Sequence, residues 1–174
     1  MLTAAKASQW FLWLVLYSVC GWVYEVILWR LDFGYWDNRG FLHGPLCPIY
    51  GVVAVLALAL LYKRVKNIPL LFLAGMVLAT LVEYITSVVL EQAFGLRWWD
   101  YSGFRFHIDG RVSLVGAVVF GLLVVLLMKL IHPRIEGLTD RMADKIKIIT
   151  ASVFAGLIAF DLCLTVIRLL WVRH

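Results

Sequence analysis

Glu25, Glu83 and Asp161 each stand inside a long apolar run. A carboxylate at the centre of a membrane span costs about 2.5–3.5 kcal/mol on insertion scales, and such acids pair with a partner or line a polar path. Each is accompanied at helical spacing by other polar or small residues: Ser18 and Gly21 before Glu25, Thr80, Ser87 and Glu91 around Glu83, and Thr165 and Arg168 after Asp161. These stripes predict three helix faces turned toward protein or water. Arg39, Arg97, Arg111 and Arg168 are the candidate partners. Arginine offers a planar fork matched to carboxylates and phosphates. The chemistry expected is therefore the holding of a small polar or anionic solute by Glu25, Arg39, Glu83, Arg111 and Asp161, with Asn38 and Tyr50 contributing from the stretch between the first two spans. A lattice of structural ion pairs is the competing reading.

The elements that position these residues follow from hydropathy. The chain has 174 residues, 63% of them hydrophobic, too many for a soluble domain of that length to hide. The reading is an all-α integral membrane protein, one transmembrane domain over residues 1–174. Five transmembrane helices are expected, at about 10–29, 48–62, 69–91, 112–131 and 148–171. Lys6 precedes an apolar run too long for a signal-peptide core, so that run is read as the first span. Pro69 suits a first helical turn, and His132-Pro133 is expected to stop the fourth span.

The second span is short. Ile49 to Tyr62 would extend about 21 Å at helical rise, against a hydrocarbon core of about 30 Å. Gly44-Pro45 and Pro48 are therefore expected to enter the membrane as a broken or re-entrant start, tolerated only where protein or a polar cavity satisfies the backbone. Glu25, Glu83 and Asp161 lie 15, 14 and 13 residues after the start of their spans, about 20 Å deep each. Shared depth predicts that they meet near the free N–H groups of the second span.

Basic residues set the orientation. Nine of the 16 cations, including every lysine, fall at the N-terminus and in the loops after spans two and four. The opposite side has arginine alone: Arg30, Arg39, Arg97, Arg105, Arg111, Arg168 and Arg173. The N-terminus is therefore read as cytoplasmic and the C-terminus as outside. Ile135, Leu138, Met142 and Ile146 recur at helical spacing between charges, which predicts an interfacial amphipathic helix or a docking helix for a cytoplasmic partner. Ala151, Ala155 and Ala159 predict a helix-packing face, within one subunit or in a homo-oligomer.

Other classes find less support. The charge of +5 is spread along loops and does not point to nucleic acid. No G-x-x-x-x-G-K-[ST] loop is present, so any ATPase would be a separate cytoplasmic subunit. His43, Cys47, His107 and Asp109 fit no zinc spacing, and no metal or other cofactor is expected. Cys20 and Cys163 read as buried free thiols. No nucleophile elbow or Ser/His/Asp set marks an enzyme. A membrane enzyme or lipid-headgroup-handling protein, using Glu25 or Glu83 as acid/base, stays open beside a transporter component and a ligand-free accessory subunit.

Gly21-Trp22-x-x-Glu25, the stretch Asn38-Arg39-Gly40-Phe41-Leu42-x-Gly44-Pro45-x-Cys47-Pro48-Ile49-Tyr50-Gly51, and Trp99-Asp100-Tyr101-Ser102 resemble a bacterial membrane family. It is labelled ABC transporter, type IV (CmpB-like). The resemblance spans nearly the whole chain and implies a permease-like membrane component. It brings no agreed catalytic residues. The family pattern has a proline and two asparagines after Asp-Tyr-Ser. Here Arg105, His107 and Asp109 take those places, so the outer loop has its own chemistry.

Overall fold

The computed structural model describes residues 3–172, and Arg173 of the outer cation set lies outside them. Helices dominate: α1 (Ala4–Phe33), α2 (Pro48–Leu60), α3 (Ile68–Phe94), α4 (Leu114–Leu126), α5 (His132–Asp140) and α6 (Asp144–Val172). The only sheet among the described residues is the two-stranded hairpin of β1 (His107–Ile108) and β2 (Val112–Ser113). Four helical stretches are long and apolar enough to cross a bilayer, 4–33, 68–94, 114–140 and 144–171, and α2 is a shorter apolar helix. The protein is an all-α, multi-pass membrane protein.

The chain divides into two compact units, residues 1–55 with 138–174, and residues 56–137. In the first, α1 packs along α6. Thr3 caps α1 by accepting from the Lys6 N–H at 3.3 Å, and Gly34 ends it in the left-handed region with φ 83°. At the N-terminal end of α1, Gln9 donates to Thr139 Oγ1 (3.0 Å) and Asp140 Oδ1 (2.7 Å), and Trp13 Nε1 donates to Thr139 at 3.1 Å. Buried Lys147 reaches Gln9 Oε1 at 3.4 Å. On α6, Ala151 is buried, but Ala155 and Ala159 face outward with Val153, Leu157 and Phe160. Most of that helix thus offers an apolar surface suited to hydrocarbon.

In the second unit, α3 and α4 pack closely. The buried residues of α3 are Leu71, Gly75, Ala79, Glu83 and Ser87, one per turn. Leu70, Leu73, Val77, Leu81, Ile85 and Val89 face outward. Glycines let the two backbones approach: a Cβ on Gly75 would lie 2.7 Å from Val124 Cγ1, and one on Gly121 3.0 Å from the Phe72 carbonyl oxygen. Asn67 caps α3 by accepting from Leu70 N at 2.9 Å, with Pro69 in the first turn as expected.

Three expectations need correction here. His132-Pro133 does not stop the fourth span. Residues 127–131 form a turn of π-helix, in which the His132 N–H bonds the Leu127 carbonyl, and α5 continues to Asp140. The wider turn relieves the ring clash and missing donor that make proline a breaker inside a regular helix. The amphipathic stretch is therefore no separate helix. Ile135 and Leu138 belong to α5, Met142 to a turn, and Ile146 to α6. The cysteines also differ from expectation, since Cys20 and Cys163 lie on outward helix faces.

Candidate functional site

The first unit builds its polar centre around residues 34–51. The Ser18, Gly21 and Glu25 stripe of α1 faces the start of α2. Gly21 leaves room for the Tyr50 ring, since any Cβ there would collide with it. Seated on Gly21, Tyr50 donates its hydroxyl to Glu25 Oε1. Gly51 sits against Ser18 and the Leu14 carbonyl in the same way. The Cys47 N–H donates to the Ser18 carbonyl at 3.0 Å, so α2 begins already pinned to α1.

The middle of the segment is tied to both long helices. Trp22 Nε1 donates to Asn38 Oδ1 at 2.6 Å, and Asn38 Nδ2 donates to the His43 carbonyl at 2.8 Å. Asp161 of α6 accepts from the His43 N–H at 3.2 Å and the Gly44 N–H at 2.9 Å, gathering two backbone donors of an irregular stretch. His43 Nδ1 lies 2.8 Å from Thr165 Oγ1 and 3.2 Å from Asp161 Oδ1, and its Nε2 lies 3.3 Å from Arg168 Nη1. Arginine has only donors, so Nε2 accepts and the ring proton sits on Nδ1. Asp161, His43 and Arg168 thus form a chain of carboxylate, imidazole and guanidinium.

Arg39 is placed differently. Its guanidinium carbon stands 3.9 Å from the centroid of the Trp29 ring. Trp29 is itself stacked on Phe33, with centroids 4.0 Å apart, and meets Tyr35 edge-on at 6.0 Å.

The second unit has its own polar centre, where the hairpin folds onto α3. Asp109 and Gly110 have φ of 52° and 67°, and the Arg111 N–H donates to the Ile108 carbonyl at 2.9 Å. Two consecutive positive φ values make the tight turn that matches hairpin twist. The turn residues and their neighbours then meet the α3 stripe. Tyr101 donates to Glu83 Oε1 at 2.9 Å, and Tyr84 donates to Asp109 Oδ2 at 2.8 Å. Arg111 donates to Ser87 Oγ at 3.0 Å and to Glu91 Oε2. Arg97 joins Glu91 at 3.4 Å. Trp99 Nε1 donates to the Arg111 carbonyl at 2.8 Å, and Tyr101 N–H to the Gly110 carbonyl at 2.7 Å. Beyond the helices, Asp100 accepts from the hydroxyl and backbone N–H of Ser102, with Arg97 adding its charge, which holds this carboxyl below the usual range. The loop between α3 and α4 is thus a clamped hairpin.

Each of the three acids in the apolar helices has a partner within its unit: Tyr50 for Glu25, the 43–44 segment for Asp161, and Tyr101 for Glu83. Arg111 lies with Glu91 and Ser87. Hydroxyl and imidazole donors take the role that sequence reasoning assigned to arginines. Among the described residues no three His, Cys, Asp or Glu side chains gather as metal ligands would.

A family model described as "Putative ABC-transporter type IV" matches residues 12–166. The chain belongs to that family. The match covers the residues of both polar centres except Arg168. No curated protein and no solved structure matches the chain. Family membership supports its reading as a transporter membrane component.

Proposed function

We propose that this membrane component takes a small polar or anionic solute from the outer side. The 38–51 segment would form the site, with Glu25, Asn38, Arg39, Tyr50 and Asp161 as its polar groups, while Glu83 and Arg111 hold the outer hairpin in the second unit. One observation supports this most. α2 has 13 residues, about 20 Å of helix, and the irregular segment before it is fastened to α1 and α6 by side-chain and backbone hydrogen bonds. A helix that begins inside the membrane directs free N–H groups at whatever lies before it, as in transporters with discontinuous helices.

The N-terminus and residues 132–147 are read as cytoplasmic from the lysine distribution. A separate ATPase subunit would dock on α5, where Leu138 is exposed beside polar residues. Thermal unfolding of the purified protein against a panel of polar and anionic solutes tests the site. A cargo raises the midpoint of the wild type, and Glu25→Gln and Asp161→Asn abolish that rise without unfolding the protein. A rise that survives both changes would overturn the assignment. Cysteines placed at Ile135 or Leu138 should react only from the cytoplasmic side, and labelling from outside would reverse the orientation.

A further inference from the structure

We propose that Arg39 and Trp29 form a binding site for a phosphate group. Arg39 Nε and Trp29 Nε1 are both buried, and neither has a hydrogen-bond partner among the described residues. The guanidinium lies over the same ring whose N–H is unmatched. Arg97 and Arg111 reach Glu91 and Arg168 reaches His43, while Arg30 and Arg105 lie over the Trp36 and Phe106 rings. Arg39 makes no ion pair among the described residues.

The chemistry of these donors selects the ligand class. A guanidinium charge at a partly buried position needs an anion, and buried N–H donors without acceptors are costly. The arginine fork offers parallel N–H groups that match two oxygens of one anion. A carboxylate gripped by that fork lies flat in the guanidinium plane, whereas a tetrahedral phosphate also carries oxygens out of that plane, on the side of the indole whose N–H is unmatched. The site is preset, because Trp29 is held by Phe33 and Tyr35, and Arg39 is held by the Trp29 face.

Trp29 and Arg30 lie in the last turns of α1, with Arg30 over the Trp36 ring at 5.8 Å. Aromatic rings and arginines at a span end sit at the level of lipid headgroups. The phosphate could therefore belong to a phospholipid or to a free phosphate compound. The inference deepens the proposed function by naming the anion, and rests on it for the placing of Arg39 at the outer face.

The test is thermal unfolding of the full chain in neutral detergent with three probes: inorganic phosphate, a short-chain phosphatidylglycerol, and the matching diacylglycerol. A phosphate-bearing probe near saturation should raise the wild-type midpoint by about 5 °C, and diacylglycerol should not. Arg39→Ala should abolish the rise, and Trp29→Phe, which keeps a ring but loses the N–H, should weaken binding several-fold. Response to inorganic phosphate identifies a free anion, and response to the lipid alone identifies a headgroup. The proposal is overturned if neither phosphate probe shifts the wild type, or if the shift survives in Arg39→Ala. If that variant does not fold, Arg39→Lys decides, since it keeps the charge without the fork: an undiminished shift refutes the site, and a loss of about tenfold in affinity supports it. A missing shift beside an intact solute response removes this site and leaves the transport reading standing.

Discussion

Replacing Tyr50 by Phe tests whether the start of α2 is held to α1 through Glu25. Tyr50 rests on Gly21 and donates to a carboxylate that is only partly exposed. Hydrogen bonds to charged groups contribute about 1.5–3 kcal/mol in soluble proteins, and polar pairs inside membranes average less, about 0.6 with a maximum near 1.7. The expected loss for Tyr50→Phe is therefore about 1–2 kcal/mol. Glu25→Gln keeps an acceptor oxygen and should cost less, about 1 kcal/mol. The double variant should cost less than the sum, with a coupling of about 1 kcal/mol. Gly21→Ala would push a methyl into the Tyr50 ring, and overpacking of this kind costs about 1–3 kcal/mol. That penalty should largely vanish in a Tyr50→Ala background, where the ring is gone. Equilibrium unfolding in mixed micelles, followed by helicity, supplies all of these values. Additivity of Glu25→Gln and Tyr50→Phe within about 0.5 kcal/mol would refute the pairing. So would a Gly21→Ala penalty unchanged by Tyr50→Ala.

The α3–α4 contact should be equally sensitive: Gly75→Ala and Gly121→Ala should each destabilise by about 1–3 kcal/mol in the same assay, because the added Cβ meets Val124 or Phe72. Gly110→Ala should loosen the hairpin, since its φ of 67° disfavours a side chain and the new Cβ would lie 2.7 Å from Ser102 Oγ. Faster hydrogen exchange across residues 97–113, with α3 unchanged, is the readout. Acid should act on the same loop: the folded Asp100 carboxyl is depressed by Ser102 and Arg97. Its contribution is present above the unfolded value of about 3.9 and lost as pH falls through the lower folded value. Protease resistance of the loop should thus hold from pH 5 to 8 and fall below about pH 4, and Asp100→Asn should remove that acid step.

Much of the architecture was readable because apolar runs and their length leave few choices in a bilayer. The shorter apolar helix α2 was legible too, and it begins at Pro48 as the proline pattern implies. What misled was local chemistry. Pro133 reads as a stop, but a π turn ahead of it lets the helix run on. Arginines read as partners of the deep acids by charge alone, whereas reach decides. Tyr50 and Tyr101 enter from neighbouring segments with hydroxyls at the right height, which spacing along one helix cannot show. Asp109-Gly110 between short extended stretches was a legible hairpin signal that the lack of periodicity in the loop concealed.

A short repeated pattern in the sequence bears on one of these pairings. Phe33-Gly34 is followed by Trp36-Asp37-Asn38-Arg39-Gly40-Phe41, and Phe94-Gly95 by Trp99-Asp100-Tyr101-Ser102-Gly103-Phe104. The two stretches share Phe-Gly and Trp-Asp-x-x-Gly-Phe, and differ by two residues in the spacer, which hides the repeat from a simple periodic search. Both glycines end their helices in the left-handed region, with φ of 83° and 69°. The residue after each Trp-Asp turns back to its helix: Asn38 accepts from Trp22, and Tyr101 donates to Glu83. Trp22 and Glu83 each lie 11 residues before the Phe-Gly pair, so the two clamps occupy equivalent places. Glu83 therefore has a role in closing its loop that needs no solute. Glu25 and Asp161 have no counterpart in the other copy: the place equivalent to Glu25 is Thr86, and α6 lies outside the repeat. A carboxylate that serves the shared fold should be replaceable by any group that keeps the clamp. The weight of the transport proposal thus falls on Glu25 and Asp161, where the second copy dispenses with an acid.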